Sequence, residues 1–119
     1  MTRTITIRDW VPEPLANVSG DNWRLREKKL KAASVMVWTS AKQDGLQPVK
    51  GRARVTIALV FPVRRRRDAD NLYARVKGVL DGLVKGGWIQ DDSTNAIELS
   101  VLELGGTGRK ATVITVEPL

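Results

Sequence analysis

Asp68, Asp70 and Asp92 are the carboxylates in this sequence whose setting suits metal chemistry. The first two close the run Arg64-Arg65-Arg66-Arg67-Asp68-Ala69-Asp70-Asn71, and the third follows the apolar pair Trp88-Ile89 as the second member of Asp91-Asp92. Mg²⁺ takes near-octahedral oxygen ligands, commonly one or two carboxylates, waters and a substrate phosphate. An ion so held polarises a phosphodiester and supplies hydroxide for in-line attack. The four arginines would neutralise neighbouring phosphates and orient the strand. On a helical wheel at 100° per residue, Asp70, Lys77 and Asp81 fall within about 40° of one another, opposite the stripe of Leu72, Val76 and Leu83. Each piece also has a plainer explanation. Asp-x-Asp at a helix start caps the helix, Asp91-Asp92-Ser93 makes a turn, Lys77 and Asp81 form a solvated i, i+4 pair, and an arginine run is surface charge. Their joint occurrence at one chain reversal shifts the balance toward a carboxylate–metal site without deciding it over the plainer explanations.

The residue types that are missing narrow the chemistry further. There is no Cys and no His. Disulfides, thiolate zinc sites, Cys nucleophiles, Ser-His-Asp catalysis and His-dependent nuclease designs are all excluded. Twenty Lys and Arg against thirteen Asp and Glu give a net charge of +7. That excess points to a polyanionic partner, nucleic acid ahead of an anionic membrane surface. The sequence has no apolar run long enough to span a membrane and no basic amphipathic anchor. The opening Met-Thr-Arg-Thr-Ile-Thr-Ile alternates like a strand rather than a signal peptide. The expected address is the cytoplasm.

The elements that must position these groups follow from periodicity. At 119 residues, the chain is expected to form one domain, residues 1–119, with a single modest core. Residues 2–10 alternate, with Ile5 and Ile7 on one side, as a half-buried strand. Residues 11–20 carry Pro12, Pro14, Asn17, Ser19 and Gly20 and form a loop. Asp21 or Asn22 is expected to cap a helix running to about Trp38. Trp23, Leu30, Ala33 and Val37 would make its apolar stripe, and Arg24, Arg26, Lys28, Lys29 and Lys31 would be solvated.

After a turn region at 43–51, Val55, Ile57, Leu59 and Phe61 alternate with Thr56, Ala58 and Val60. Both faces are largely apolar, as in a central strand, which Pro62 ends. A second helix is expected over residues 69–85, with Leu72, Val76, Val79, Leu80 and Leu83 inward and Gly86 as its C-cap. Residues 96–104 and 110–117 flank Gly105-Gly106-Thr107-Gly108-Arg109 and are expected to form a hairpin. The order β-α-β-α-β-β predicts an α+β domain with helices packed on a mixed sheet. Trp10, Trp23, Trp38 and Trp88 are core or interface residues by default.

Taken together, the run Arg64 to Leu72, then Lys77-x-x-x-Asp81-x-Leu83, then Gly87-Trp88-Ile89-Gln90-Asp91-Asp92, resembles the signature of the RusA Holliday junction resolvases. Length and element order are similar as well, whereas the N-terminal third matches only through a Pro-containing loop and a basic helix. The resemblance implies a homodimeric endodeoxyribonuclease of a kind common in phages, dependent on Mg²⁺ or Mn²⁺, that cuts four-way and other branched DNA. It implies that Asp68, Asp70 and Asp92 bind metal and are catalytic, with Arg64, Arg65, Arg66, Arg67 and Lys77 on DNA. The family's functional lysine lies one turn beyond the Asp-Asn pair, where this chain has Ala74. Lys77 takes that place if the helix carries about three extra residues, which keeps nearly the same face. Two other functions fit the composition: a non-catalytic nucleic-acid-binding dimer, and a structural phage protein whose basic face holds a partner.

Overall fold

The strand richest in apolar residues occupies the interior of the sheet. In the computed structural model, which describes residues 2–15, 22–65 and 69–119 and only the backbone of 69 and 70, β2 (Ala53–Val60) has a neighbour on each side. The sheet has four strands in the order β1-β4-β2-β3, with β1 at Thr4–Arg8, β3 at Ile97–Leu104 and β4 at Ala111–Pro118. β2 pairs parallel to β3 and antiparallel to β4, and β1 pairs antiparallel to β4, so the sheet is mixed. The domain is α+β, as the pattern of elements implied.

The expected hairpin of the last two strands does not form. β2 lies between β3 and β4, with Ile57 opposite Val101 on one side and Ile114 on the other. The physical reason lies in β2 itself: Val55, Ile57 and Leu59 are fully buried and Ala58 on the opposite face is nearly so. A strand with two apolar faces gains most from a central place. The segment after β3 therefore crosses the end of β2 instead of turning straight back.

Helix α1 spans Trp23–Asp44, about two turns further than Trp38. Ala41 extends the buried stripe of Leu30, Ala33 and Val37, and Gly45 ends the helix in the left-handed region at φ 71°. The Leu46 N–H donates to the Ala41 carbonyl at 2.9 Å, which satisfies one of the last free carbonyls of the helix. At the other end, Asn22 makes no side-chain cap bond, and Asp21 lies outside the described residues. Trp23, expected in the stripe, is 60% exposed, as the rest of the first turn of α1 is exposed too.

The second expected helix is broken in two, α2 at Ala69–Arg75 and α3 at Lys77–Lys85. At the joint the Val76 N–H reaches back three residues to Tyr73, at 3.3 Å, a tightened turn. The inward stripe holds: Leu72, Val76, Val79, Leu80 and Leu83 are all buried. Gly86 is the C-cap, and a Cβ there would run into the Trp88 ring.

Helices α1 and α3 cross in the same direction at very close range. A Cβ on Gly78 would lie 2.7 Å from the Ala33 Cβ, and one on Gly82 would lie 2.7 Å from the Ser34 carbonyl oxygen. The two glycines, one turn apart, let the helix backbones touch. The core fills the space between these helices and one face of the sheet, with Ile5, Val37, Ile57, Leu59, Val76, Val79, Leu83 and Ile114 almost fully buried. On the opposite face Thr4, Thr6, Arg8, Glu98, Ser100, Leu102 and Leu104 are exposed.

Candidate nucleic-acid interface and acidic centre

Strand direction decides where the chemistry-bearing residues lie. Because β4 is antiparallel to both β1 and β2, the strands β1, β2 and β3 all run the same way. Their carboxyl ends share one edge of the sheet, the usual place for a ligand crevice in parallel α/β arrangements. From that edge the chain leaves β1 toward α1, leaves β2 toward α2, and leaves β3 into residues 105–110.

The loop 105–110 is fastened over the end of β2. The Phe61 N–H donates to the Leu104 carbonyl at 2.8 Å, and Thr107 and Gly108 donate their N–H groups to the Phe61 and Pro62 carbonyls at 3.3 and 3.1 Å. The Thr107 hydroxyl lies 3.0 Å from the Phe61 carbonyl oxygen. A Cβ on Gly105 would sit 3.1 Å from the Arg64 Cα, so the loop passes against the start of the arginine run. Arg109 and Lys110 are thereby carried to the same end as Arg64 and Arg65. Sequence reasoning missed this pair, since the glycines around Thr107 read as a simple reverse turn.

Beside the crossing of α1 and α3 runs a groove of ≈ 540 Å³. Arg24, Lys28, Lys31, Lys77 and Lys85 line it with only Glu27 and Asp81 in opposition. Lys77 Nζ and Asp81 Oδ1 are 3.7 Å apart, with the side chains 49% and 32% exposed. The expected i, i+4 pair is present, and at that exposure it contributes little to stability. Arg24, Arg26, Lys28 and Lys31 of α1 are exposed as expected, whereas Lys29 is only 22% exposed; Arg24, Lys28 and Lys31 share this groove with Lys77, which the sequence did not indicate. The signal that could have found it is Gly78-x-x-x-Gly82, which lets α3 approach α1. Lys29 points elsewhere, with its Nζ 3.4 Å from the Pro14 carbonyl oxygen and 3.8 Å from Glu13.

The carboxylates divide between the two ends of the sheet. Asp70 is in the first turn of α2, at the carboxyl end of β2, while Asp68, Arg66 and Arg67 lie outside the described residues. Arg75, the last residue of α2, lies over the Phe61 ring at 5.3 Å and donates to the Pro12 carbonyl at 3.1 Å, fixing the carboxyl end of the helix to the close of β2. Asp92 is at the amino end. Trp88 Nε1 donates to the Leu46 carbonyl at 2.8 Å, and the Val49 N–H donates to the Trp88 carbonyl at 2.9 Å. A few residues on, the Ala53 N–H donates to the Ala96 carbonyl at 3.0 Å. Asp92 is therefore pinned near the first residue of β2, which at about 3.3 Å per residue is ~23 Å from the last. Its N–H donates to Asp91 Oδ1 at 2.8 Å, so Asp91 folds back on its own loop and both side chains are exposed.

All-oxygen donors without His or Cys suit a hard divalent cation. Within one chain, however, Asp92 does not approach the start of α2. Among the described residues no three acidic, His or Cys side chains gather into a metal-binding group.

A family model described as Endodeoxyribonuclease RusA matches residues 14–117. The match takes in α1, α2 and α3, the arginine run and Asp92. No curated protein matches the chain.

Proposed function

The chain belongs to the RusA endodeoxyribonuclease family, and on that premise we propose that it resolves Holliday junctions and other branched DNA by Mg²⁺-dependent phosphodiester hydrolysis. The observation that carries this reading is the family match across residues 14–117, with basic groups placed beside the start of α2. Arg64, Arg65, Arg109 and Lys110 sit at the end of the sheet where α2 begins, with Asp70 in its first turn. The groove of Arg24, Lys28, Lys31, Lys77 and Lys85 continues that positive surface along the helices.

These cations bind and orient the DNA backbone. Arginine grips phosphate with a planar fork and lysine acts as a point charge, so the two hold a strand in place without reading its sequence. Arg66 and Arg67 extend the same run in sequence, toward Asp68 and Asp70. Lys77, at one side of the groove with its Nζ 3.7 Å from Asp81, adds a further point charge for a phosphate. The chemistry that Mg²⁺ or Mn²⁺ supplies when bound is polarisation of the scissile phosphate and activation of water. Asp68, Asp70 and Asp92 are the ligands this reading assigns.

A four-way junction has two-fold symmetry and two strands to cut, which fits a homodimer presenting two sites. No described helix is long and apolar enough to cross a membrane, and a DNA substrate supports the cytoplasm as the address in this reading. The test is a labelled four-way junction and a linear duplex of the same sequence, each incubated with and without Mg²⁺. Paired nicks in the junction only when Mg²⁺ is present support the reading. Binding without cleavage, or equal cutting of the linear duplex, contradicts it.

A further inference from the structure

The positive charge of the molecule is not confined to its helical side. A second cleft, of ≈ 680 Å³, opens where β1 and β4 meet the loop 105–110, and Thr6, Arg8, Asp9, Thr107, Arg109 and Lys110 line it. Strand alternation assigns its face. Ile5 and Ile7 are buried in the core beneath the helices, so Thr6 and Arg8 point to the other side of the sheet. The cleft and the groove of α1 and α3 therefore lie on opposite faces of the domain.

The frame of the cleft is held by backbone bonds rather than by its charged side chains. The Asp9 N–H donates to the Lys110 carbonyl at 2.9 Å, and the Thr112 hydroxyl donates to the Trp10 carbonyl at 2.9 Å. The Arg109 N–H donates to the Thr107 hydroxyl at 3.2 Å, within the loop already fastened to the end of β2. Arg8, Arg109 and Lys110 are exposed, and among the described residues they make no ion pair. Three cations are thus gathered on a fixed frame, with Asp9 as the opposing carboxylate. Such a cluster repels itself until an anion is bound, and phosphate oxygens suit arginine and lysine alike.

We propose that this cleft binds the phosphate backbone of a second DNA arm, and that Arg8 is a residue by which the chain tells a branched junction from a linear duplex. The inference rests on the junction-cleaving reading above and takes the groove of α1 and α3 as the seat of the first arm. The sheet and its helices stand between the two surfaces, and the molecule measures 25 Å along even its shortest axis. A straight duplex laid along the helices cannot also reach the far face of the sheet. DNA is stiff over about 150 base pairs, so wrapping a short linear site round the sheet edge costs bending energy. At a junction the arms already diverge, and two of them can engage both surfaces without being bent. Phosphate contacts carry no sequence information, so the selectivity that results is for branching rather than for base sequence.

Equilibrium binding of a four-way junction and of a linear duplex of equal length, at several salt concentrations with Mg²⁺ chelated, tests the proposal independently of cleavage. The wild-type chain should show the steeper dependence of log affinity on log salt with the junction. Arg8→Ala should flatten the junction slope by about 0.9, and Arg8→Ala combined with Arg109→Ala by about 1.8. Junction binding by the double variant should weaken on the order of tenfold near physiological salt. Linear-duplex affinity should stay within about twofold of wild type in Arg8→Ala, since a single arm occupies the helical groove. Thr6→Lys adds a cation at an exposed position of the same cleft, and should steepen the junction slope by about 0.9.

Equal losses on junction and duplex in Arg8→Ala would show that the cleft serves the same duplex as the groove, and would overturn the second-arm contact. Equal wild-type slopes on the two substrates, or junction slopes unchanged in Arg8→Ala and in Thr6→Lys, overturn it as well. Mg²⁺-dependent junction cleavage would in those cases leave the nuclease reading in place. A chain that binds neither substrate removes the junction reading, and the second-arm contact with it.

Discussion

Substituting Gly82 by Ala tests whether the DNA-facing groove depends on direct contact between helix backbones. In an exposed helix interior the change is stabilising by about 1 kcal/mol, since Ala forms helix more readily than Gly. Here the new methyl would meet the Ser34 carbonyl oxygen at 2.7 Å, and the Ser34 Cα and Val37 Cβ at 3.2 Å. Two of those atoms are backbone, and Val37 is fully buried, so no flexible side chain can swing aside. Overpacking of this kind costs about 1–3 kcal/mol, and an unyielding backbone obstacle belongs at or beyond the upper end of that range. After the helix-propensity gain the net loss is about 2 kcal/mol. Unfolding entropy near 2.1 cal/mol/K per residue converts this to a fall in Tm of about 8 °C for a chain of this length. Thermal unfolding followed by circular dichroism at 222 nm, far-ultraviolet, measures it directly. An unchanged or raised Tm would show that α1 and α3 stand further apart than described, and the groove they frame would lose its basis.

Other expected outcomes concern the DNA surface and the carboxylates. Asp92→Asn should abolish junction cleavage, while Asp91→Asn should reduce it only mildly, because the Asp91 carboxylate bonds back to its own loop. Single-turnover rates on a labelled junction decide this, and the reverse order of severity would show that Asp91 is the functional member. Replacing Arg65 and Arg67 by Ala should flatten the dependence of log affinity on log salt by about 0.9 per lost phosphate contact, about 1.8 in all. The same measurement on Lys28→Ala with Lys31→Ala tests whether the groove carries DNA, and an unchanged slope would remove it from the phosphate track.

Much of the architecture was legible in the sequence because burial writes a simple period into it. The alternation around Ile5 and Ile7 and the doubly apolar run from Val55 to Phe61 each correspond to an observed strand, and the stripe from Leu72 to Leu83 is buried, though divided between α2 and α3. What failed was pairing. Nothing in residues 96–117 distinguishes a hairpin from two strands separated by a third, since that choice is made by β2, forty residues away. The end of α1 was missed because Ala41 is a weak hydrophobic signal beyond Trp38. Trp23 was misplaced because periodicity cannot reveal how far along a helix its buried stripe begins, here at Leu30. At the site, residue types and spacing identified the Lys77–Asp81 pair, and the basic character of α1 was evident. Their common groove depends on Gly78 and Gly82, whose role is to be small, and Arg109 was hidden in a turn. Asp70 and Asp92 look close when the sequence is read along its length. The parallel crossover from β2 to β3 sets them at opposite ends.

The central claim is that this chain cuts branched DNA through carboxylate-held Mg²⁺. It is tested most directly by measuring junction affinity and single-turnover cleavage together for the wild-type chain and for Asp70→Asn, with Mg²⁺ present and after its removal by chelation. The account predicts that Asp70→Asn binds the junction within a few fold of wild type and does not cut it, and that the wild-type chain without Mg²⁺ behaves the same way. Mg²⁺-dependent cleavage by Asp70→Asn at the wild-type rate, or undiminished cleavage by the wild-type chain after chelation, would contradict it.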